Sequence, residues 1–385
     1  MHEQIVFSNS PPFRSFMDGL ANYGKGLCIH GIFIEPHPMW RGLVDARRTS
    51  GLPVDRGPPY WPPTPGRSPP APYDFDIESV PEAWKTFTRE AGKESHPFIV
   101  TVWIFPLTTE QMQDFRALDQ YVQKQPFFVR FQQRPIAQLA AAVDGASEIT
   151  AQESGALGGF LQDQKGRHWG LTCGHVAAAV GGAFTLEDVG GTRYPGAGTV
   201  AYSNYSSIAT VGASGLCNPY VSAGNPDTDG ALLDLGAGFT ATSSVRGLGM
   251  IDEIFDRKRL NSGSPVCMSG VKSGVEDYEI GGYGVTVKVK VTRGTTVNYH
   301  CFSHVFEFHD PTPPPSWMPS KAAQALLARP LLGDSGSWVC FRKETATCAY
   351  FGNLIAVENL SGIATFADSF LNWASTDHKL SLRVL

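Results

Sequence analysis

No run of lysine and arginine long enough to track a phosphate backbone occurs in this 385-residue sequence, and its 31 basic residues are outnumbered by 36 acidic ones. Nucleic acid is therefore not expected as a partner. Nor is there an uninterrupted apolar stretch near the roughly 20 residues that a membrane-spanning helix needs, so no membrane is expected. The opening residues, MHEQIVFSNSPPFRSF, show neither the basic start nor the apolar stretch of a secretory leader. Charge is scarce at 17% while apolar residues reach 42%, a balance that builds a core and excludes global disorder. The seven cysteines are an odd number without a pairing pattern. A secreted chain would show an even framework, so reduced, mostly buried thiols and a cytoplasmic location are expected. Cys340 and Cys348, flanking a hairpin, are the one pair for which a bridge comes into question.

What is abundant is glycine, 41 residues in all. They crowd the stretch from Ser154 to Gly294, between short β-branched and apolar runs. That rhythm predicts many short antiparallel strands. Three regions follow. Residues 1–75 read as a proline-rich extension and linker. Within it, Pro53–Tyr73 suits neither helix nor inner strand, because proline lacks the N–H both use; Tyr60 and Trp61 lie inside this segment. Residues 76–150 read as a small α/β module: a helix over SVPEAWKTFTREA, a strand over HPFIVTVWIFPL, a helix over TTEQMQDFRALDQYVQKQ capped by threonine, and a strand over PFFVRFQQ. Residues 151–385 carry some ten strand candidates and a closing helix in DSFLNWASTDH, a pattern that suggests paired β-barrels.

The most specific feature is LLGDSGSWVCF. A serine hydroxyl is a weak nucleophile and needs both a base and a site for the oxyanion formed on attack. A tight Gly-Asp-Ser-Gly turn supplies the latter, because glycine lets the N–H groups of Gly333 and Ser335 converge. HWGLTCGHVAAAV places His175 directly after a strand, where its ring can point into a cleft. A carboxylate should fix its tautomer, and DTDGALLDLG offers Asp229 just before an apolar strand. Asp227 and Asp234 compete for the role; Asp227 lies further out in the turn, and Asp234 follows the buried run.

With these motifs in the order His, Asp, Ser, the chain resembles the chymotrypsin-like serine proteases, over roughly residues 152–375. LTCGHV resembles that family's histidine segment, DGALLDL its aspartate strand and GDSGSW its nucleophile loop; intracellular trypsin-like proteases are the nearest likeness. The resemblance implies a mainly β fold, a double β-barrel with the triad His175, Asp229 and Ser335 in the cleft, preceded here by the small α/β module. It implies an oxyanion hole from Gly333 and Ser335, protein substrates and no cofactor. It also directs attention to a primary pocket at Arg329, six residues before the nucleophile, and to Gly362. The strand Gly352–Val357, with Ile355 in it, would form one wall and take substrate as an added strand. A cation at Arg329 would disfavour basic side chains.

Departures are equally informative. No cleavage site frees an apolar terminus, so Asp334 needs another partner or leaves the oxyanion hole unformed. Val176 stands where a disulfide cysteine would follow the histidine. Control through a protein partner of residues 1–150 is expected, with the linker AAAVDGASEITAQESG as a proteolytic alternative. HCFSHVFEFH holds His300, Cys301, His304 and His309, but strand alternation puts only His300 and His304 on one face, so no metal is expected. Two other functions fit the motifs: an inactive protease-fold scaffold or adaptor, and an esterase or acyltransferase using the same triad.

Overall fold

The computed structural model describes the chain except residues 1, 25, 50–81, 109–110, 135, 140–146, 152, 189–191, 209, 221–226, 237, 240, 260, 294–295, 312–327, 344–346 and 359. Pro53–Tyr73, with Tyr60 and Trp61, therefore lies outside the described residues.

The chain opens with two helices, α1 (His2–Ser8) and α2 (Pro11–Tyr23). Ser10 caps α2, accepting the Phe13 N–H at 3.4 Å, and the two prolines fall in the first turn, where a missing N–H costs nothing. Phe13, Phe16, Met17 and Leu20 recur at helical spacing as a buried stripe. The stretch up to Pro36 thus holds periodic structure that its prolines obscured. Strand β1 (Ile29–Pro36) follows, then α3 (Pro38–Thr49), α4 (Glu82–Glu90), β2 (Phe98–Ile104), α5 (Met112–Gln123) and β3 (Phe128–Gln133). The expected helices and strands of this region are all present. A threonine does not cap α5, however: Gln111 precedes it without a side-chain cap, and its Oε1 accepts the Thr108 N–H at 3.0 Å instead. β2 lies between β1 (antiparallel) and β3 (parallel). A short strand, β4 (Ala137–Leu139), leads away from this layer.

The first barrel uses β5 (Glu148–Thr150), β6 (Ser154–Ala156), β7 (Gly159–Gln162), β8 (His168–Thr172), β9 (Ala183–Glu187), β10 (Arg193–Ser203) and β12 (Ala231–Leu235); β11 (Thr210–Val211) crosses to the other barrel. The pairing runs β7–β8–β12–β10–β9–β5–β6, and between β6 and β7 the Leu157 N–H donates to the Ser147 carbonyl at 3.1 Å and the Gly158 N–H to the Leu171 carbonyl at 2.8 Å, so the ring closes.

The second barrel is preceded by the hairpin β13 (Ser244–Val245) and β14 (Gly249–Ile254). It comprises β15 (Pro265–Gly270), β16 (Gly274–Arg293), β17 (Thr296–His309), β18 (Trp338–Arg342), β19 (Cys348–Glu358) and β20 (Ser361–Phe366). These pair in the closed cycle β15–β16–β17–β20–β19–β18. A helix, Ala367–His378, and β21 (Arg383–Val384), which pairs with β7, complete the chain. The fold is mainly β, two curled sheets that each close on themselves, as expected from the glycine-punctuated strands.

β1 does more than complete its own layer. Its other edge pairs antiparallel with β16, Gly31 against Val287 and Ile34 against Tyr283, so the N-terminal strands extend the second barrel's sheet. Gly31 has to be glycine here, since a Cβ would sit 2.6 Å from the Trp103 ring, which stacks on Phe33 with centroids 4.1 Å apart. Phe33 and Trp103 share one apolar cluster with Val176 and Leu233 of the first barrel and Val287, Ile355 and Ile363 of the second. This shared apolar contact fixes the barrels' mutual position.

The cysteine expectation is corrected. Cys217 and Cys301, 84 residues apart in sequence, form a disulfide with Cα atoms 5.6 Å apart, tying a loop to β17. A pairing made through the tertiary fold leaves no trace in local spacing, and the cysteine argument for the cytoplasm goes with it. Cys28, Cys173, Cys267, Cys340 and Cys348 are free; Cys340 lies opposite Cys267, not Cys348. Among the described residues no helix is long and apolar enough to cross a membrane.

Candidate active site

β8 and β12 pair side by side, Thr172 opposite Ala231, which brings the residues after one strand against those before the other. His175 and Asp229 meet there. The Asp229 carboxylate receives the His175 backbone N–H on Oδ1 at 3.0 Å and faces His175 Nδ1 through Oδ2 at 2.5 Å. A carboxylate accepts here, so the tautomer that fits this contact carries its proton on Nδ1 and keeps a lone pair on Nε2. Gly174 allows the approach: a Cβ there would lie 2.8 Å from Asp229 Oδ1.

Asn204, which no sequence motif singles out, holds the carboxylate's backbone from both sides. Its Nδ2 donates to the Thr228 carbonyl at 2.8 Å, and its Oδ1 accepts the Gly230 N–H at 2.9 Å. The two peptides flanking Asp229 are thereby fixed by one buried amide. The competing aspartates are elsewhere. Asp234 pairs with Arg167 at the surface, and Asp227 is exposed.

Ser335 belongs to the other barrel, in the turn before β18. Gly333 and Gly336 have φ of 109° and 95°, which L-residues rarely adopt, and a Cβ on Gly336 would lie 2.4 Å from the Ala156 carbonyl. The turn is pinned from both barrels: Ala156 N–H donates to the Ser335 carbonyl at 2.8 Å, and Gly336 N–H donates to the Leu354 carbonyl at 2.9 Å. Ser335 Oγ lies 3.5 Å from the Ile355 carbonyl. Among the described residues, the Gly333 and Ser335 N–H groups have no protein acceptor, as an oxyanion site requires.

Asp334 has the partner that the sequence left open. Its Oδ1 accepts the backbone N–H groups of Lys272 and Ser273 at 2.6 and 3.4 Å, and its Oδ2 accepts that of Leu331 at 2.8 Å. Lys272 and Ser273 form the turn joining β15 to β16, and the carboxylate is fully buried.

Around this centre, Cys173 is buried with Sγ 3.1 Å from the Leu354 carbonyl. Burial, and then the Asp229 charge, push its thiol well above the usual range. Cys173, His175 and Asp229 have ligand atoms within 4.8 Å of one another. With the imidazole turned to the carboxylate and the thiol held protonated, this donor set suits proton handling better than a metal. The β17 histidines do not converge on one site: His300 contacts Tyr205, His304 contacts Tyr283, and His309 lies 4.0 Å from Glu279. Of the expected pocket residues, Ile355 adjoins Ser335. Arg329 is half-buried, and Gly362 is backed by Phe308, whose ring a Cβ would meet at 2.4 Å, and by Pro330.

No protein-family model matches the chain, and no curated protein matches it. Among solved structures, a Nocardiopsis protease is 17% identical, with 63% of this chain and 98% of that one covered and a TM-score of 0.37. A glutamic acid-specific serine protease, described as using a histidine triad in substrate binding, is 12% identical over 63% and 100% of the two chains, TM-score 0.37. The HRV-C 3C protein, solved with rupintrivir, is 13% identical over 58% and 91%, TM-score 0.28. The architecture rests on the closed strand pairings of the two barrels.

Proposed function

We propose that the chain is a serine endopeptidase working through an acyl-enzyme. The carrying observation is the buried His175–Asp229 pair on one barrel and a serine turn of the other that both barrels pin, with Gly155 packed between Val176 and the Ser335 carbonyl. In this reading Ser335 Oγ attacks a peptide carbonyl and His175 Nε2 takes its proton. The Gly333 and Ser335 N–H groups receive the oxyanion, and Asp229 stabilises the imidazolium. His175 then returns the proton to the departing amine, and water releases the acyl group by the same steps. No cofactor or metal enters.

A fluorophosphonate probe and a fluorescent casein substrate test this together. Wild type should label at Ser335 and hydrolyse casein, and Ser335→Ala should do neither. Labelling at another serine, or none, would sink the assignment. Labelling with ester but no peptide hydrolysis would make the chain an esterase or acyltransferase.

Arg329, next to Pro330 and so beside Gly362, is proposed to bias the primary pocket against basic side chains. A positional-scanning peptide library showing dominant Lys or Arg preference would exclude that.

A further inference from the structure

β18 covers one edge of β19 only as far as Asn353. Beyond it, that edge runs past the nucleophile turn, where the Leu354 and Ile355 carbonyls meet Gly336 N–H and Ser335 Oγ. An extended peptide that is to reach Ser335 needs a bare strand edge beside it, and this is the edge available. It is not bare. β4 pairs there antiparallel, Gln138 opposite Val357 and Leu139 opposite Ala356, so its chain advances towards Ile355 and the nucleophile. The other edge of β4 pairs in parallel with Val289 and Lys290 of β16.

The approach to β4 is anchored. Arg134 Nη1 donates to Glu307 at 2.7 Å and to Glu358, the last residue of β19, at 3.0 Å; both carboxylates are almost fully buried. Ser361 Oγ donates to the same Glu307 oxygen at 2.8 Å. A second observation points the same way: His175 and Ser335 each have 0% of their surface exposed. A nucleophile and base closed off from solvent cannot meet a protein substrate until something beside them moves.

We propose that Ala137–Leu139 is a built-in occupant of the peptide-docking edge, an intrasteric strand that a substrate must displace. The proposal rests on reading Ser335 as the nucleophile. The ligand class of the edge is an extended main chain, and its resident copy comes from this chain. β4 has partners on both edges, so a proline in it removes an N–H that the pairing uses.

The test compares full-length wild type with Gln138→Pro and Leu139→Pro, each shown by thermal melting to be folded. Casein hydrolysis should rise on the order of tenfold in both, because the competent fraction is no longer limited by strand release. A synthetic peptide of the sequence Ile-Ala-Gln-Leu should slow the variants again. In wild type, a peptidyl phosphonate should release amide-exchange protection at residues 137–139, a readout that survives even if a variant fails to fold. Equal labelling at Ser335 with equal casein rates and unchanged protection would overturn this proposal while leaving the nucleophile assignment intact. If neither wild type nor variants label, both readings fall. A wild-type chain cut just beyond Leu139, with Ser335→Ala uncut, would make the segment a substrate and overturn its role as an inhibitor.

Discussion

The two barrels are alike in closing on themselves and unlike in their surroundings. The first is a ring with β21 added on β7, and it holds His175 and Asp229 at the facing ends of β8 and β12. The second contributes Ser335 and is built outward: β1 joins β16, β2 and β3 continue the sheet, and β4 lies on β19. The half that holds His175 and Asp229 meets the N-terminal layer through side chains, whereas the half that holds Ser335 is joined to that layer by strand pairing. Strand pairing thus ties that layer to the second barrel, while Phe33 and Trp103 also pack in one cluster with Val176 and Leu233 of the first.

The sharpest way to test this division is to disable one side without unfolding it. Asp229→Asn should lower kcat on the order of 10⁴-fold with little change in melting temperature, because it alters the imidazole tautomer and not the packing. A loss under tenfold would show that His175 is oriented by something else. Next, Phe33→Ala should destabilise the whole chain by about 3–5 kcal/mol in urea unfolding, since its ring is shared by the N-terminal layer and the barrels. A loss below about 1 kcal/mol would make the layer an appendage rather than part of the second barrel's core.

The disulfide sharpens the comparison from another direction, because Cys301 sits on β17 of the second barrel. Reduction should cost about 2–4 kcal/mol. Thiol titration of the unreduced, denatured chain should find the five free cysteines and no more. Seven reactive thiols would remove the bridge.

The smallest effect expected is a pH dependence seated in the N-terminal layer. Burial pushes the His30 imidazole down to about 4, and its Nε2 lies 3.0 Å from the Arg134 carbonyl. The unfolded chain then binds a proton that the folded one refuses. The contribution is complete above the ordinary pKa near 6.5 and is lost as pH falls from there towards 4. It amounts to at most roughly 3 kcal/mol, and His30→Gln should flatten that part of the stability curve. An unchanged slope would exclude His30 as its source.

Much of this was legible because local signals agreed with the final packing. GDSGSW demands positive φ at glycine, and Gly333 and Gly336 have it; LTCGHV and DTDGALL each put a polar residue at the end of an apolar strand. The strands of both barrels follow the glycine punctuation. What stayed hidden was non-local. Asn204 looks like any loop asparagine until the fold sets it against Thr228 and Gly230. The Cys217–Cys301 pairing exists only through tertiary approach. Gln138 and Leu139 carry no strand signature of their own, being held by β19 and β16. Helix α2 is the exception: the Phe13, Phe16, Met17, Leu20 spacing is a helical signal in the sequence itself, and the two prolines fall only in its first turn.

The cage around Asp334 also bears on the order in which the chain is made. Lys272 and Ser273, whose N–H groups hold that carboxylate, leave the ribosome well before Leu331–Ser335, and Ala137–Leu139 precedes β19 by a greater length. The partners of the Leu331–Ser335 loop in the turn between β15 and β16 are therefore synthesised before that loop, and β4 before the strand it pairs with. Ser335 itself precedes Leu354, whose carbonyl takes the Gly336 N–H, so the turn is fully seated only once β19 has followed it from the ribosome.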